Sequence, residues 1–363
     1  MPRGRRERIH AVILAGGAGE RFWPASRERR PKPFLEVVGG RSLLDATLAR
    51  AAGFAARDAV WIVGGREHAR ALRSATGLPG RRVLLEPARR NTAMAVALAA
   101  TRIAAEDPDA VLAVLPADHH IPDARAFAAD IRRAAAAARA AAVLVTLGVR
   151  PTRADTGYGY IHVGAPAGRG HARLHRVRRF VEKPDAARAR RYLRQGSYLW
   201  NAGIFVWTAR AILEEIERWM PELHRALGPV RAEGLRPRAA TLTRAYRRAP
   251  SLPIDVGVME RSRRVWTLPV RWHWSDVGTW ASLAAELGVA AGRSHRVAGE
   301  VVHDDRGGNL IWGQPGRPVA LLGVENLAII DTGDALLVAR LDRSDEVRGI
   351  VTALKAAGRT DVT

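Results

Sequence analysis

The chain has no cysteine, which excludes disulfides, thiolate metal sites and cysteine nucleophiles. Aromatic residues are also scarce, at 6% of 363 residues. No apolar run approaches the roughly 20 residues of a membrane-spanning helix, and the apolar stretch behind the basic N-terminus is too short for a signal peptide. With 47% hydrophobic and 26% charged residues, the composition is typical of a globular protein. We therefore expect a soluble, cytoplasmic protein with no membrane partner.

Lysine is nearly absent as well. Of 58 Lys plus Arg residues, only Lys32, Lys183 and Lys355 are lysines. A lysine carries a compact point charge with mobile donors, whereas an arginine presents a wide planar fork. A lysine kept among so many arginines therefore points to a position that a guanidinium cannot serve. Lys32 and Lys183 lie in the similar motifs "PKP" and "EKP".

The net charge of +22 has three explanations. These are arginine-biased codon usage in a GC-rich genome, attraction of small phosphorylated substrates, and a nucleic-acid surface. The basic residues are spread along the whole chain, and the aromatic residues that would stack on bases are few. We favour codon bias, and we expect no nucleic-acid partner.

The first half of the chain alternates between two patterns. Apolar runs predict buried strands at residues 10–15, 59–63, 82–85, 111–116 and 143–147. Helical patterns lie between them, at residues 42–55, 66–76, 91–106 and 124–142. This alternation predicts βαβ units with a parallel sheet, in a three-layer α/β domain.

The second half of the sequence does not continue this alternation of strands and helices. Further strands are expected at "TGYGYIHVG", "HRVRRFVEKP" and "YLWNAGIFVWTA", followed by helices over residues 209–249. Short strands with turn residues then predict a small β-rich module, closed by a helix at "EVRGIVTALKAAG". The expected domains are residues 1–292 and 293–363.

A glycine-rich segment, "LAGGAGER", follows the first predicted strand, where open α/β sheets bind ligands. Gly16, Gly17 and Gly19 allow backbone N–H groups to approach an anion. The segment lacks the Gly-Lys-Ser/Thr ending of a P-loop and the third glycine of the dinucleotide fingerprint. A plain tight turn would use the same glycines, but Arg21 and Lys32 in the same connection favour phosphate binding.

Carboxylates and polar side chains mark other candidate positions. Asp118 closes a strand in "AVLPADHHI", and Asp276 precedes a helix in "WHWSDVGTW"; carboxylates so placed can hold Mg²⁺ together with phosphate oxygens. Asp118 could instead cap a turn, and Asp276 could be a helix N-cap. "FVEKP" and "WNAGIF" contain Glu182, Lys183 and Asn201, which suit a sugar phosphate but equally suit surface ion pairs and packed strands.

Together these segments resemble the mannose-1-phosphate guanylyltransferases of the sugar-phosphate nucleotidyltransferase family. The matching stretches run in order through nearly the whole chain: "LAGGAGERFWPASRERRPKPF", "EPARRNTAMAVALAA", "LPADHHI", "TLGVRPTRADTGYGYI", "FVEKP", "YLWNAGIFVW", "PIDVGVME", "WSDVGTW" and "LGVENLAIIDTGDALLVA". "PADHHI", "RNTA" and "YLWNAGIF" favour the mannose branch over glucose-1-phosphate relatives.

The resemblance implies a Rossmann-like catalytic domain, a left-handed β-helix-like C-terminal module, and transfer of GMP from GTP to mannose 1-phosphate with Mg²⁺. The implied nucleotide contacts are Leu14, Ala15, Gly16, Gly17, Gly19, Arg21, Lys32, Asn91, Thr92 and Asp118. The implied sugar-phosphate contacts are Gly157, Tyr158, Glu182, Lys183, Asn201 and Gly278. Asp118 and Asp276 would hold Mg²⁺, and the implied catalytic residues are Arg21, Lys32, Asp118 and Lys183. GTP and mannose 1-phosphate are the expected partners, and a homodimer stays an open option.

Three residues depart from the family pattern. Glu20 stands where the family usually has threonine, Pro33 replaces a common glutamine, and Met94 replaces a common proline. Glu20 puts a negative charge beside the expected triphosphate, unless it turns to solvent or to the metal. The alternatives are a transferase for another nucleotide or for glucose 1-phosphate, and a catalytically weak regulator. Isomerase activity is not expected, because the chain ends soon after the β-rich module.

Overall fold

The structure is a computed structural model that describes residues 8–17, 19–37, 39–235, 237–303 and 307–363. The chain divides into two compact units. Unit 1 contains Met1–Gly16, Thr47–Pro116 and Ile121–Trp274. Unit 2 contains Gly17–Ala46, Ala117–His120 and Ser275–Thr363. The domain boundary near residue 292 stays a prediction.

Unit 1 is built on one mixed sheet. Its strands are β1 (Ile9–Leu14), β2 (Val60–Gly65), β3 (Val83–Glu86), β4 (Val111–Pro116), β5 (Leu144–Val149), β6 (Tyr160–Pro166), β7 (His175–Val181), β8 (Tyr198–Thr208) and β9 (Val265–Pro269). Their order in the sheet is β3-β2-β1-β4-β8-β5-β9-β7-β6. β1 pairs in parallel with β2 and β4, and β2 pairs in parallel with β3. These strands are almost wholly buried, as their continuous apolar runs predict.

The parallel sheet predicted for the first half holds for β1 to β4 but not for β5. β8 lies antiparallel between β4 and β5, and β5 pairs in parallel with β9 instead. The physical reason is the length of β8, which has 11 residues, nearly all of them buried. Its residues 205–208 pair with β4 and its residues 198–200 pair with β6, so this one long strand joins the parallel strands β1 to β4 to the later strands through antiparallel pairing.

The predicted helices are present, with ends shifted by a few residues. They are α1 (Leu43–Ala52), α2 (Ala69–Thr76), α3 (Asn91–Ala104), α4 (Ala124–Ala141), α5 (Ala186–Gln195), α6 (Ala209–Trp219), α7 (Pro221–Ala226), α8 (Gly228–Ala232) and α9 (Ala239–Arg248). α3 is buried along most of its length and packs against α6. Met94 lies in this part of the core, where a flexible apolar side chain fills space that a proline would leave. No helix in the described ranges is both long and apolar enough to cross a bilayer.

The second half of unit 2 is a small β-rich module, as predicted. Its elements are α10 (Trp280–Glu286), β10 (His295–Ala298), β11 (Val301–His303), β12 (Leu310–Trp312), β13 (Val319–Leu321), β14 (Leu327–Asp331), β15 (Leu336–Arg340) and α11 (Val347–Ala356). β10, β12 and β14 stack in parallel, and so do β11 and β13. Successive coils that stack strand on strand in this way make a β-helix-like module, on which β15 adds an antiparallel edge.

The glycine loop, residues 17–37, shares one apolar core with this module. The rings of Phe22 and Trp280 lie 4.7 Å apart between centroids. Trp280 Nε1 donates to the carbonyl of Trp23 at 3.1 Å, and Trp23 Nε1 donates to the carbonyl of Val362 at 2.6 Å. The conformation of the loop therefore depends on residues more than 250 positions away in the sequence.

We expect Trp280→Ala to lower the free energy of unfolding by about 3–5 kcal/mol, because the indole is fully buried among aromatic rings. Urea unfolding followed by near-UV circular dichroism would measure the loss. Leu322→Ala is the matched control: its side chain is 85% exposed, so its truncation should change stability by less than about 0.5 kcal/mol. Equal stability of the two variants would contradict the packing described here.

Candidate functional site

Unit 2 brings together three residues that the motifs singled out. The Lys32 side chain is 6% exposed, and its Nζ donates to Asp118 Oδ2 at 2.8 Å and to the backbone carbonyl of Asp276 at 2.6 Å. The same nitrogen lies 5.6 Å from the centre of the Phe22 ring. A buried cation needs such partners to offset its lost hydration. The narrow ammonium of a lysine fits here, which agrees with the scarcity argument from the sequence.

Asp118 is charged in this setting. Burial by itself raises the pKa of a carboxyl, but the charge and hydrogen bond of the Lys32 ammonium, together with the charge of His119, outweigh it and hold the pKa of Asp118 below its usual range. The Asp118 side chain is 30% exposed. The site therefore presents an ionised carboxylate to solvent.

The backbone around Asp276 is shaped for its carboxylate. Val277 is buried and has φ of 43°, a left-handed conformation that is costly for a β-branched residue. A Cβ on Gly278 would lie 2.6 Å from Asp276 Oδ2, so only glycine leaves room for that carboxylate. Thr279, not Asp276, is the N-cap of α10, where its hydroxyl accepts from the backbone N–H of Ser282. The N-cap explanation of Asp276 is therefore wrong.

Asp118 and Asp276 fit Mg²⁺ as a cofactor. Mg²⁺ is commonly held by one or two carboxylates, with water and substrate phosphates as its other ligands. The Asp118 side chain is 30% exposed and leaves its carboxylate accessible for that arrangement. Among the described residues, no cluster of three or more His, Cys, Asp or Glu side chains could hold a metal alone.

The glycine loop, which lies in unit 2, packs around Lys32. Gly19 has φ of 65°, and a Cβ there would lie 2.4 Å from Lys32 Cβ, so a side chain at this position would displace the lysine. Space around Gly17 is open, and Arg21 is exposed. Pro33 lies at the start of the 3-10 helix Lys32–Phe34, where its fixed φ suits the first turn and no backbone N–H is needed.

Unit 1 holds a second cluster, centred on the buried Asn201. Thr146 Oγ1 donates to Asn201 Oδ1 at 2.9 Å, and the backbone N–H of Gly203 donates to the same oxygen at 3.2 Å. Asn201 Nδ2 donates to Asp255 Oδ1 at 2.9 Å. These hydrogen bonds fix the orientation of the Asn201 amide. They occupy both acceptor positions of its oxygen and one of the two N–H groups of its nitrogen.

Glu182 and Asn201 both lie close to Gly159, where a side chain would displace them. A Cβ on Gly159 would be 2.6 Å from Glu182 Oε2 and 3.3 Å from Asn201 Cβ. Lys183 Nζ lies 3.6 Å from Glu182 Oε1, and the lysine side chain is 65% exposed. The φ of Lys183 is 45°, a strained value of the kind that clusters at functional sites.

Two acids in this cluster have perturbed pKa values. Burial raises the pKa of Glu182, and the neighbouring Asp255 carboxylate raises it further. Burial likewise raises the pKa of Asp255. Acids perturbed in this way mark candidate functional sites. The sequence interpretation missed Asp255 and Gly159; the available signal for Asp255 was an acid among apolar residues in "PIDVGVME".

Gly157 and Tyr158 lie in a loop with fixed contacts. The backbone N–H of Gly157 donates to Asp155 Oδ1 at 2.8 Å. The Tyr158 ring packs edge-on against Trp200 and Trp274, with centroids 5.0 Å and 5.2 Å away. Both tryptophans are buried.

A third group lies at the carboxyl ends of β1 and β3. Leu14 ends β1, and the backbone N–H of Ala15 donates to the carbonyl of Val63 at 2.7 Å. A Cβ on Gly16 would lie 3.3 Å from Oε2 of the buried Glu86. The other oxygen of Glu86 accepts from the Tyr246 hydroxyl at 3.0 Å, and burial raises the pKa of Glu86 to about 7.

The sequence patterns did not single out Glu86, which directly follows the strand predicted at residues 82–85. Close by in sequence, α3 begins at Asn91, whose φ is 63°. Thr92 Oγ1 accepts from the backbone N–H of Ile254 at 2.9 Å, and its own N–H donates to Asn91 Oδ1. Asn91 and Thr92 thus lie at the start of a buried helix, where Thr92 is held by the backbone of Ile254.

Two family models match the chain. The "Nucleotidyl transferase" model matches residues 10–288, and the "MannoseP isomerase/GMP-like beta-helix domain" model matches residues 299–354. The xanthan biosynthesis protein XanB of Xanthomonas campestris is 40% identical over 359 residues, which is 97% of this chain and 74% of that protein. Mannose-1-phosphate guanylyltransferase RfbM of Salmonella typhimurium is 38% identical over 359 residues, which is 96% of this chain and 73% of that protein.

A solved structure agrees with these matches. A Thermus thermophilus protein, named mannose-1-phosphate geranyltransferase, has a TM-score of 0.87 and 37% identity. The likeness covers 96% of this chain and 99% of that one. The resemblance read from the motifs is therefore confirmed, while the roles of single residues stay predictions. The chain belongs to the nucleotidyl transferase family of enzymes, in the branch of the mannose-1-phosphate guanylyltransferases.

Proposed function

We propose that the enzyme transfers GMP from GTP to α-D-mannose 1-phosphate and releases pyrophosphate, with Mg²⁺ as cofactor. The observation that carries the proposal is the cluster of Lys32, Asp118 and Asp276 in unit 2. It combines a buried cation with carboxylates suited to Mg²⁺, which a phosphate-transfer reaction needs. The names of the relatives supply the choice of sugar and base.

The proposed reaction requires no general base. A phosphate oxygen of mannose 1-phosphate attacks the α-phosphorus of GTP, and the bond from that phosphorus to the bridging oxygen of pyrophosphate breaks. The nucleophile is already an anion at neutral pH. The difficulty is to bring two polyanions together in line, so catalysis rests on positioning and on neutralised charge.

The cations of the chain have separate tasks in this proposal. Lys32 and Arg21 bind phosphates of GTP, and Lys183 binds the phosphate of the sugar. Asp118 and Asp276 hold Mg²⁺, which offsets the negative charge of the phosphates when bound. Because the Asp276 carbonyl fixes the ammonium of Lys32 in advance, little reorganisation is needed on binding.

The cluster around Asn201 suits a sugar. Glu182 can accept hydrogen bonds from hydroxyl groups, and the remaining N–H of the Asn201 amide can donate to one. Asp255 and Thr146 act through Asn201 by fixing its amide. The Gly157–Tyr158 loop supplies further contacts.

Glu86 suits the guanine base. A carboxylate can accept hydrogen bonds from both N1–H and the 2-amino group of guanine. Glu86 lies against Gly16 of the "LAGGAGER" motif, and its Oε1 is fixed by Tyr246. Adenine presents no such pair of donors, so this contact would favour GTP over ATP.

Pyrophosphate release tests the function directly. The purified protein with Mg²⁺ should release pyrophosphate mainly from GTP with mannose 1-phosphate, across a panel of GTP, ATP, UTP and dTTP against mannose 1-phosphate and glucose 1-phosphate. Release with another nucleotide or with glucose 1-phosphate would favour a different transferase. A folded protein that binds GDP-mannose but is inactive with every pair would be a regulator.

Changes to Asp118 and Lys32 should abolish turnover without unfolding the protein. We expect Asp118→Asn and Lys32→Ala to lower kcat by at least about 100-fold, measured by pyrophosphate release. Lys32→Arg should also be impaired, because a planar guanidinium does not fit between the two aspartates. Asp123→Asn is the matched control, since asparagine still caps α4 there. A Lys32→Ala enzyme with nearly full activity would remove this lysine from the mechanism.

Glu86→Gln should weaken the choice of guanine. An amide can accept only one of the two hydrogen bonds, so the preference for GTP over ITP, which lacks the 2-amino group, should fall by about tenfold in kcat/KM. Because burial raises the pKa of Glu86 to about 7, the carboxylate form grows as pH rises from 6 to 8, and KM for GTP should fall over that range. The Glu86→Gln variant should lack this pH dependence. If its ratio of kcat/KM for GTP to kcat/KM for ITP equals that of the wild type, Glu86 does not contact the 2-amino group of guanine.

A further inference from the structure

Glu20 takes neither of the two orientations expected for it. It lies in the 3-10 helix Glu20–Phe22, directly before Arg21, and its side chain is 28% exposed. Its Oε1 accepts from Lys355 Nζ at 3.0 Å, and its Oε2 lies 3.2 Å from Arg348 Nε. Both oxygens of the carboxylate therefore meet cations of α11.

α11 is fixed in a position to offer these cations. Val347 and Val351 lie one turn apart and are buried in the core that also contains Phe22. Arg348 and Lys355 lie two turns apart and so share another face of the helix. Lys355 Nζ also lies 3.5 Å from Glu28 Oε1, at a later point of the glycine loop. One face of α11 thus packs in the core, while another pairs with the loop.

The charge of Glu20 needs these partners. Partial burial raises the pKa of Glu20, but the hydrogen bond and charge of Lys355 and the charge of Arg348 outweigh it and hold the pKa below its usual value. Glu20 is therefore ionised at neutral pH. An unpaired carboxylate next to Arg21 would compete for that arginine and would repel a triphosphate.

We propose that Lys355 and Arg348 are positioning residues for nucleotide binding: they hold and neutralise the Glu20 carboxylate, so that the glycine loop can accept GTP. This inference rests on the proposed function, because it takes GTP as the ligand of the loop. It assigns to the C-terminal helix a task in substrate binding. It also explains how the chain carries a glutamate where the family usually has a threonine.

Equilibrium binding of GTP to the full chain, together with steady-state kinetics, tests the proposal. We expect Lys355→Met and Arg348→Met each to raise Kd and KM for GTP by about tenfold, with KM for mannose 1-phosphate nearly unchanged. Glu20→Thr alone should bind GTP at least as well as the wild type. The double variant Glu20→Thr, Lys355→Met should recover wild-type affinity, because the charge that required neutralisation is gone. A structural role alone would not produce this recovery.

Arg343→Met is the matched control. Arg343 pairs with Glu346 on the surface of the same module, and its removal should leave GTP binding unchanged. Exposed ion pairs contribute little to stability, so thermal unfolding of all variants should stay within a few degrees of the wild type.

Three results would overturn the inference: unchanged GTP affinity in Lys355→Met, no recovery in the double variant, or a loss in Glu20→Thr as large as that in Lys355→Met. The third result would mean that the ion pair stabilises the conformation of the loop, and that GTP binding does not depend on neutralising the charge of Glu20. A wild-type protein that binds GTP but does not turn it over would refute the proposed function alone. A wild type that does not bind GTP would refute both.

Discussion

The ammonium of Lys32 is the contact on which the site of unit 2 depends. It reaches two partners that come from separate parts of the chain, the Asp118 carboxylate and the Asp276 carbonyl. Because the ammonium is buried, each partner must stay within hydrogen-bonding distance or the charge loses its compensation. This arrangement includes a strained, left-handed φ at Val277, and it requires a residue without a side chain at position 19. The same arrangement holds the Lys32 ammonium beside the partly exposed carboxylate of Asp118.

The sequence predicted the local structure well and the pairing of distant elements less well. Strands and helices were recognisable because their hydrophobic periods are local properties of the chain. The insertion of β8 between β4 and β5 was not, because strand order depends on contacts between residues about 100 positions apart. Motifs likewise identified Lys32, Asp118 and Asn201. They could not show that Asp255 holds the amide of Asn201, or that Glu86 lies beside Gly16, since only the folded chain brings these residues together.

The three lysines have a common feature in the structure: each ammonium pairs with a carboxylate. Lys32 pairs with Asp118, Lys183 lies near Glu182, and Lys355 pairs with Glu20. The settings differ, since Lys32 is buried while Lys183 and Lys355 are exposed to solvent. What they share is an ammonium nitrogen that lies within 3.6 Å of a carboxylate oxygen. The rarity of lysine in this chain thus marked positions that are linked to phosphate binding in the proposals above.

Unit 2 also constrains how the protein is made. Its core joins the glycine loop near the start of the chain to residues near its end, and Trp23 bonds to a residue 339 positions further on. On the ribosome, all residues of unit 1 have been synthesised once Trp274 is added, while the loop still lacks Trp280 and α11 as packing partners. Domains generally fold as units during synthesis, so the two units would fold in sequence. A nascent chain would therefore order its glycine loop last, after the residues of α11 have been synthesised.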